Sequence, residues 1–311
     1  MNLRLHRFAV FTACATFCLI VAGALVTSNE AGLAVPDWPL SYGTWMPPWV
    51  GNIRYEHGHR MVAGFVGLLT IGLVFWLWRC EPRRWVRRLG LAALGAVVAQ
   101  ALLGGATVLL MLPTVVSVGH ACLAQIFFCL TITLALATGP RWLQEPVPRV
   151  SLRLEPGFPP LPTLTIVTTA AIFLQLILGA ALRHKGFGIA PHLAGAAVVT
   201  ALVMWTFYRV LSAHSEQPTL LRAAVSLGLL LVAQLFLGAA SYLVREATRD
   251  AVQPLPMMVW ITVAHVATGA LTLASSVWLA LESHRLLLGH ASGLSSPVGQ
   301  ASGFSEQQAA S

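Results

Sequence analysis

Eight separate apolar runs, each about 20 residues long, leave this chain few ways to fold. They cover residues 8–27, 58–78, 90–111, 114–138, 163–182, 190–211, 222–244 and 257–282. A run of ~20 apolar residues is long enough to cross the hydrocarbon core of a bilayer as a helix. Inside that core every backbone N–H and C=O must find a partner within the protein, so helices and closed barrels are the only spanning forms. Only 10% of the residues are charged, against about 25% in a soluble domain. The expected fold class is an all-α polytopic membrane protein with eight transmembrane helices, lying among membrane lipid. In such a chain the net charge of +8 implies no nucleic-acid partner.

The distribution of that charge orients the spans. Thirteen of the nineteen Lys and Arg residues lie on the side that carries the N-terminus, and basic residues accumulate in cytoplasmic loops. Both termini are therefore expected in the cytoplasm of a bacterial-type inner membrane. The first run is too long for a signal-peptide core and has no clear small-residue cleavage site after it, so it reads as an uncleaved span. Every even-numbered run then begins at the outer surface. Near those outer ends lie His59, His120, His192 and His265.

An ionisable side chain inside a span is costly and normally faces the interior of the bundle, where it has a task. Imidazole binds haem iron through one nitrogen, and two histidines from facing helices make a b-type site. Four histidines in register are enough for two irons. A repeat divides them: Q-x-x-L-G-x-A recurs as Gln100–Ala106, Gln175–Ala181 and Gln234–Ala240, while the first run keeps Gly23-Ala24 but has Leu19 in place of the glutamine. The glycines suit close helix packing. The glutamines read either as interhelical glue or as the polar edge of a cofactor site. The expected organisation is two pseudo-symmetric four-helix bundles. Residues 1–140 form the N-terminal half and 141–162 a cytoplasmic linker. Residues 163–285 form the C-terminal half and 286–311 a disordered tail.

Other residues are weighed against these four. His57 lies about 200° around the helix from His59 and is expected to face solvent or a propionate. His6, His184, His214, His284 and His290 fall in segments expected to be solvated. Glu56 shares a helix face with His59. It reads either as a charge stabilising the helix start or as a proton acceptor. Arg60, Lys185, Arg54 and Arg183 lie on the outer side, as propionate partners or as interfacial anchors. The five cysteines form no C-x-x-C motif, and no thiolate metal site is expected. The first outer loop, about 28–56, is long and rich in Gly, Pro and Trp, as a functional lid would be. On these residues alone, a dihaem electron-transfer cytochrome and a haem transporter or chaperone remain open beside an enzyme.

Glu56-His57-Gly58-His59-Arg60 opening a span, and Gly32-Leu33-Ala34-Val35-Pro36-Asp37-Trp38-Pro39-Leu40-Ser41-Tyr42-Gly43 before it, resemble the E-x-x-H-R motif and first outer loop of haem A synthases, the Cox15/CtaA family. The resemblance covers about residues 1–285. It implies an oxidoreductase that converts the C8 methyl group of haem O to the formyl group of haem A, for haem–copper terminal oxidases. It implies haem b held by His192 and His265, a substrate haem held by His59 and His120, and a catalytic role for Glu56. Haem O is the implied substrate. A haem O synthase, an electron acceptor such as a quinone, and a second copy of the chain are candidate partners. Some family members carry a cysteine pair in the first outer loop, and this chain has none there.

Overall fold

The computed structural model describes residues 2–143 and 159–291, and these are helical throughout apart from loops and one isolated bridge between Ser41 and Thr44. In order they form α1 (Leu3–Ser28), α2 (Ile53–Cys80), α3 (Arg84–Leu109), α4 (Thr114–Thr138), α5 (Pro140–Leu143), α6 (Leu161–Arg183), α7 (Ala190–His214), α8 (Pro218–Ala247) and α9 (Pro256–Ala291). All but the single turn α5 are long and apolar enough to cross a membrane. The chain is thus a multi-pass, all-α membrane protein.

Two helix edges differ from the sequence expectation. α2 starts at Ile53 rather than 58, because Arg54, Tyr55, Glu56 and His57 lower the local hydropathy without opposing helix formation. α9 runs on to Ala291, past the end expected at 285, and Leu286 is buried in the second core. Residues 286–291 are therefore helical, not part of a disordered tail. The rest of the expected tail and most of the expected linker lie outside the described residues.

The packing order is the same in both halves. α2 and α4 each pack on α1 and α3; α7 and α9 each pack on α6 and α8. Each half has its own core, one around Leu73, Leu77, Phe127 and Leu134, the other around Leu220, Leu227, Leu273 and Leu279. A seam joins them: α1 and α4 pack on α9, and α4 also on α6. Ile20, Phe128, Ala270 and Ala274 fill its centre. At the end of the seam nearest the α1–α2 loop, Arg183 donates to Ser28 Oγ over 2.9 Å.

Lipid tails are as apolar as leucine, so burying these side chains gains little from water exclusion. Close packing and interhelical hydrogen bonds hold such helices together. At Gly90 a Cβ would lie only 2.8 Å from Leu77 Cδ1, so the missing side chain is what lets α3 approach α2. Hydroxyls inside the helices bond to carbonyls one turn back, as Thr12 does to Phe8 (2.9 Å), Thr16 to Thr12 (2.8 Å) and Thr70 to Val66 (2.8 Å). Some also reach across: Thr168 and Thr206 share a 2.9 Å bond between α6 and α7.

Candidate functional site: four histidines and the loop above them

Each of the four histidine rings rests against a glycine on the preceding odd-position span. A Cβ on Gly23, Gly104 or Gly179 would sit 3.1 Å from Cε1 of His59, His120 or His192, and one on Gly238 3.0 Å from Cε1 of His265. The repeat seen in the sequence is therefore a repeat of contacts. The small residue makes room for an imidazole from the neighbouring helix.

The glutamines of the repeat belong to the same contact. Gln100 Nε2 donates to the backbone carbonyl of His120 (3.0 Å) and lies 3.4 Å from its Nε2. Gln175 Nε2 donates to the carbonyl of His192 (2.9 Å) and lies 3.1 Å from its Nδ1. Gln234 Nε2 lies 3.5 Å from His265 Nε2. The glutamines thus act as interhelical glue, and the helices they bridge to are those of the histidines.

In the C-terminal half the two rings are spaced to hold a metal between them. Nδ1 of His59, His120 and His265 is buried with no hydrogen-bond partner among the described residues, which is costly unless something else is bound. The His192 and His265 ring centroids are 6.5 Å apart, with planes at 84°. A metal–imidazole bond is about 2.0 Å long and a centroid lies about 1.1 Å behind its nitrogen. Two rings on opposite sides of one metal therefore have centroids roughly 6.3 Å apart. In both halves the histidine-bearing helices are the diagonal pair of the bundle.

The first outer loop closes over the N-terminal half. Val35 is wholly buried, and its N–H donates to Glu56 Oε2 over 2.9 Å. Arg60 donates to Glu56 Oε1 (2.6 Å) and to three loop carbonyls, of Asp37 (2.7 Å), Leu40 (2.7 Å) and Val35 (3.2 Å). Asp37 in turn accepts from the N–H groups of Tyr42 (2.7 Å) and Gly43 (2.8 Å). The Gly43 bond foremost, with Tyr42 and the Arg60 charge, outweighs burial and holds the Asp37 carboxyl below its usual range. The loop's indole docks on α3: a Cβ on Gly105 would lie 2.7 Å from Trp38 Cδ2. The matching positions in the other two repeats are Ala180 and Ala239. That second glycine is the local sign in the sequence that something sits on α3.

Some expected positions turn out otherwise. His57 is buried rather than solvated; it shares a 2.9 Å hydrogen bond with Ser41 Oγ and meets the edge of Trp49. The serine and tryptophan of the loop cover a ring that helix geometry alone turns away from His59. His214 is also buried, and His6 Nδ1 lies 3.1 Å from the Ala135 carbonyl. Arg60, expected beside a propionate, has its terminal N–H groups occupied by Glu56 and the loop. Arg54 lies over the Tyr55 ring, and Lys185 is an exposed left-handed residue between α6 and α7. Burial foremost, with the neighbouring Arg183 charge, holds His184 below its usual range.

Comparison with known proteins places this arrangement among relatives. The model of the COX15-CtaA family, described as cytochrome oxidase assembly proteins, matches residues 51–191, a stretch containing Glu56, His59 and His120. A haem A synthase of Symbiobacterium thermophilum is 31% identical over 250 residues, 71% of this chain and 79% of that protein. One from Alkalihalophilus pseudofirmus is 34% identical over 112 residues, 35% of this chain and 37% of that protein. One from Methylobacterium sp. is 32% identical over 139 residues, 40% and 38%.

Proposed function

The chain belongs to the haem A synthase family, and on that footing we propose that it oxidises the C8 methyl group of haem O to a formyl group, giving haem A for haem–copper terminal oxidases. The observation that carries the reading is the placement of Glu56. It stands one helical turn from His59, beneath the docked loop, and the position matching it before His192 is Ile189. A pure electron relay has no use for a buried carboxylate beside one ligand pair and not the other.

In this reading His59 and His120 hold the iron of the substrate haem, and His192 and His265 hold a resident haem b. Haem b, when bound there, would supply one-electron redox chemistry, with a quinone as the candidate acceptor. With water as the oxygen donor, –CH3 and H2O become –CHO with loss of four protons and four electrons, and Glu56 accepts a proton as the methyl group is oxidised. Arg60 keeps the Glu56 carboxylate oriented, and the loop anchored through Val35 and Trp38 limits water at the outer end. The two halves would act as a reaction half and an electron-holding half, with both sites toward the outer side of the membrane and both termini inside.

Co-expression with a source of haem O, followed by extraction and chromatography of the haems, tests the activity. Appearance of haem A is expected, and its loss in Glu56→Ala. A wild-type chain that returned only haem O and haem b would leave an electron-transfer cytochrome or a haem carrier as the better reading.

A further inference from the structure

The contact repeat recurs at three histidines and is broken at the fourth. His120, His192 and His265 each have a glycine against the ring and, four residues earlier on the same helix, a glutamine: Gln100 and Gln175 donate to the histidine's backbone carbonyl, and Gln234 lies 3.5 Å from the His265 ring. His59 has the glycine, Gly23, at the same 3.1 Å, but the residue four earlier is Leu19. Leu19 is buried in the apolar cluster of the first half with Val66 and Leu73. No glutamine amide reaches the His59 ring, whose Nδ1, like those of His120 and His265, has no partner among the described residues. His59 also borders a mostly apolar groove of about 370 Å³ between α1 and α2, lined by Ala22, Leu25, Met61 and Val62, with Trp49 and Arg54 at its loop end.

We propose that Gln100, Gln175 and Gln234 are positioning residues that fix three of the four histidine ligands, and that Leu19, in the fourth place, makes His59 the exchangeable ligand through which substrate haem enters and product leaves. The inference deepens the ligand assignment made above and rests on it. Groups that orient a ligating histidine stabilise its bond to the metal, and their loss weakens metal affinity about 10–100-fold. An enzyme that must release a modified haem needs one ligand without that support. A site that keeps its haem through every turnover needs both ligands supported. The distribution of glutamines matches that requirement: both C-terminal ligands have one and the N-terminal pair has a single one. The groove beside His59 is where an apolar substituent of the macrocycle would pass sideways between the two helices.

The test uses the full chain in lipid nanodiscs, loaded with haem b as the probe, and follows haem transfer to apomyoglobin. The phase that survives in His265→Ala assigns the N-terminal site. Leu19→Gln, which completes the fourth motif, is expected to slow that phase about tenfold, while Leu19→Met leaves it unchanged. Gln100→Leu is expected to speed the same phase. Gln175→Leu and Gln234→Leu are expected to shift the low-spin electron paramagnetic resonance signal of the C-terminal haem and to make that haem exchangeable. Leu19→Gln protein that released haem at the wild-type rate or faster, or bound none, would overturn the proposal. So would glutamine variants with unchanged rates and resonance positions. Because the probe is haem b and the readout is exchange, failure to form haem A would leave this result standing. Normal haem A formation with unaltered exchange in Leu19→Gln would sink the inference alone.

Discussion

Arg60→Ala is expected to undock the first outer loop before any haem is bound. The guanidinium makes four contacts of 2.6–3.2 Å, to Glu56 and to the carbonyls of Asp37, Leu40 and Val35. Hydrogen bonds to charged groups contribute about 1.5–3 kcal/mol each, but bonds made by one side chain are lost together and do not add. Breaking a fully buried pair costs about 3–5 kcal/mol. The Arg60 side chain is 15% exposed, which places the loss at the lower end, about 3 kcal/mol. At 1.4 kcal/mol per tenfold, that is about a hundredfold increase in the open population of the loop. The assay is amide hydrogen exchange in the haem-free protein, read at Val35, Tyr42 and Gly43, whose N–H groups are bonded in the docked loop and exchange through local opening. Unchanged exchange at these amides, with weaker haem binding instead, would refute the clamp role and return Arg60 to the propionate partnership that its sequence position suggests.

Gly105→Ala puts a Cβ 2.7 Å from the rigid Trp38 ring. Overpacking of about 1–3 kcal/mol should loosen the same loop and lower haem A yield, whereas Gly95→Ala, with open space around it, should do neither. Glu56→Gln retains an oxygen to accept from Val35 N–H but cannot take up a proton. Haem content should persist while formyl formation falls about 100-fold or more, and full activity would leave Glu56 as an anchor only. The N–H groups of Gly43 and Tyr42 hold the folded pKa of Asp37 below its ordinary value. Its contribution to loop docking is therefore fully present above that ordinary value and is lost as the pH falls through the lower, folded value. Limited proteolysis of the loop against pH should show an acid-induced step that is missing in Asp37→Asn.

The spans were legible because a 20-residue apolar run has a single physical outcome in a bilayer. Their edges were less so. Hydropathy discounts the polar first turns of α2, although a helix start at the membrane surface accepts Arg54 and Glu56 readily. The four histidines, Glu56 and the glutamine repeat were all visible as residue types in register. What the sequence withheld was pairing across distance. The bond from Gln175 to the His192 carbonyl spans 17 residues and the contact of Gln234 with His265 spans 31, and no local pattern selects these partners over a generic interhelical bond. The loop was harder still, since its path depends on one arginine gathering three carbonyls and on an indole seated on Gly105. His57 was misread for the same reason: the residues that cover it come from a segment with no periodicity to extrapolate.

The hydroxyl groups that bond one turn back along their own helices bear on how the molecule is assembled. Thr12, Thr16 and Thr70 are satisfied within a single span, so these hydroxyls are not stranded when their helices enter lipid. The glutamines and histidines cannot be satisfied this way, and an unpaired polar group in hydrocarbon costs several kcal/mol. Each odd span that carries a glutamine is therefore an incomplete product until its histidine-bearing neighbour arrives. Biogenesis would be ordered by pairs of consecutive spans, the glutamine helix waiting in the translocation machinery for the segment that follows it. The first span, with leucine in that place, is free to leave early and to serve as the surface on which the rest collects.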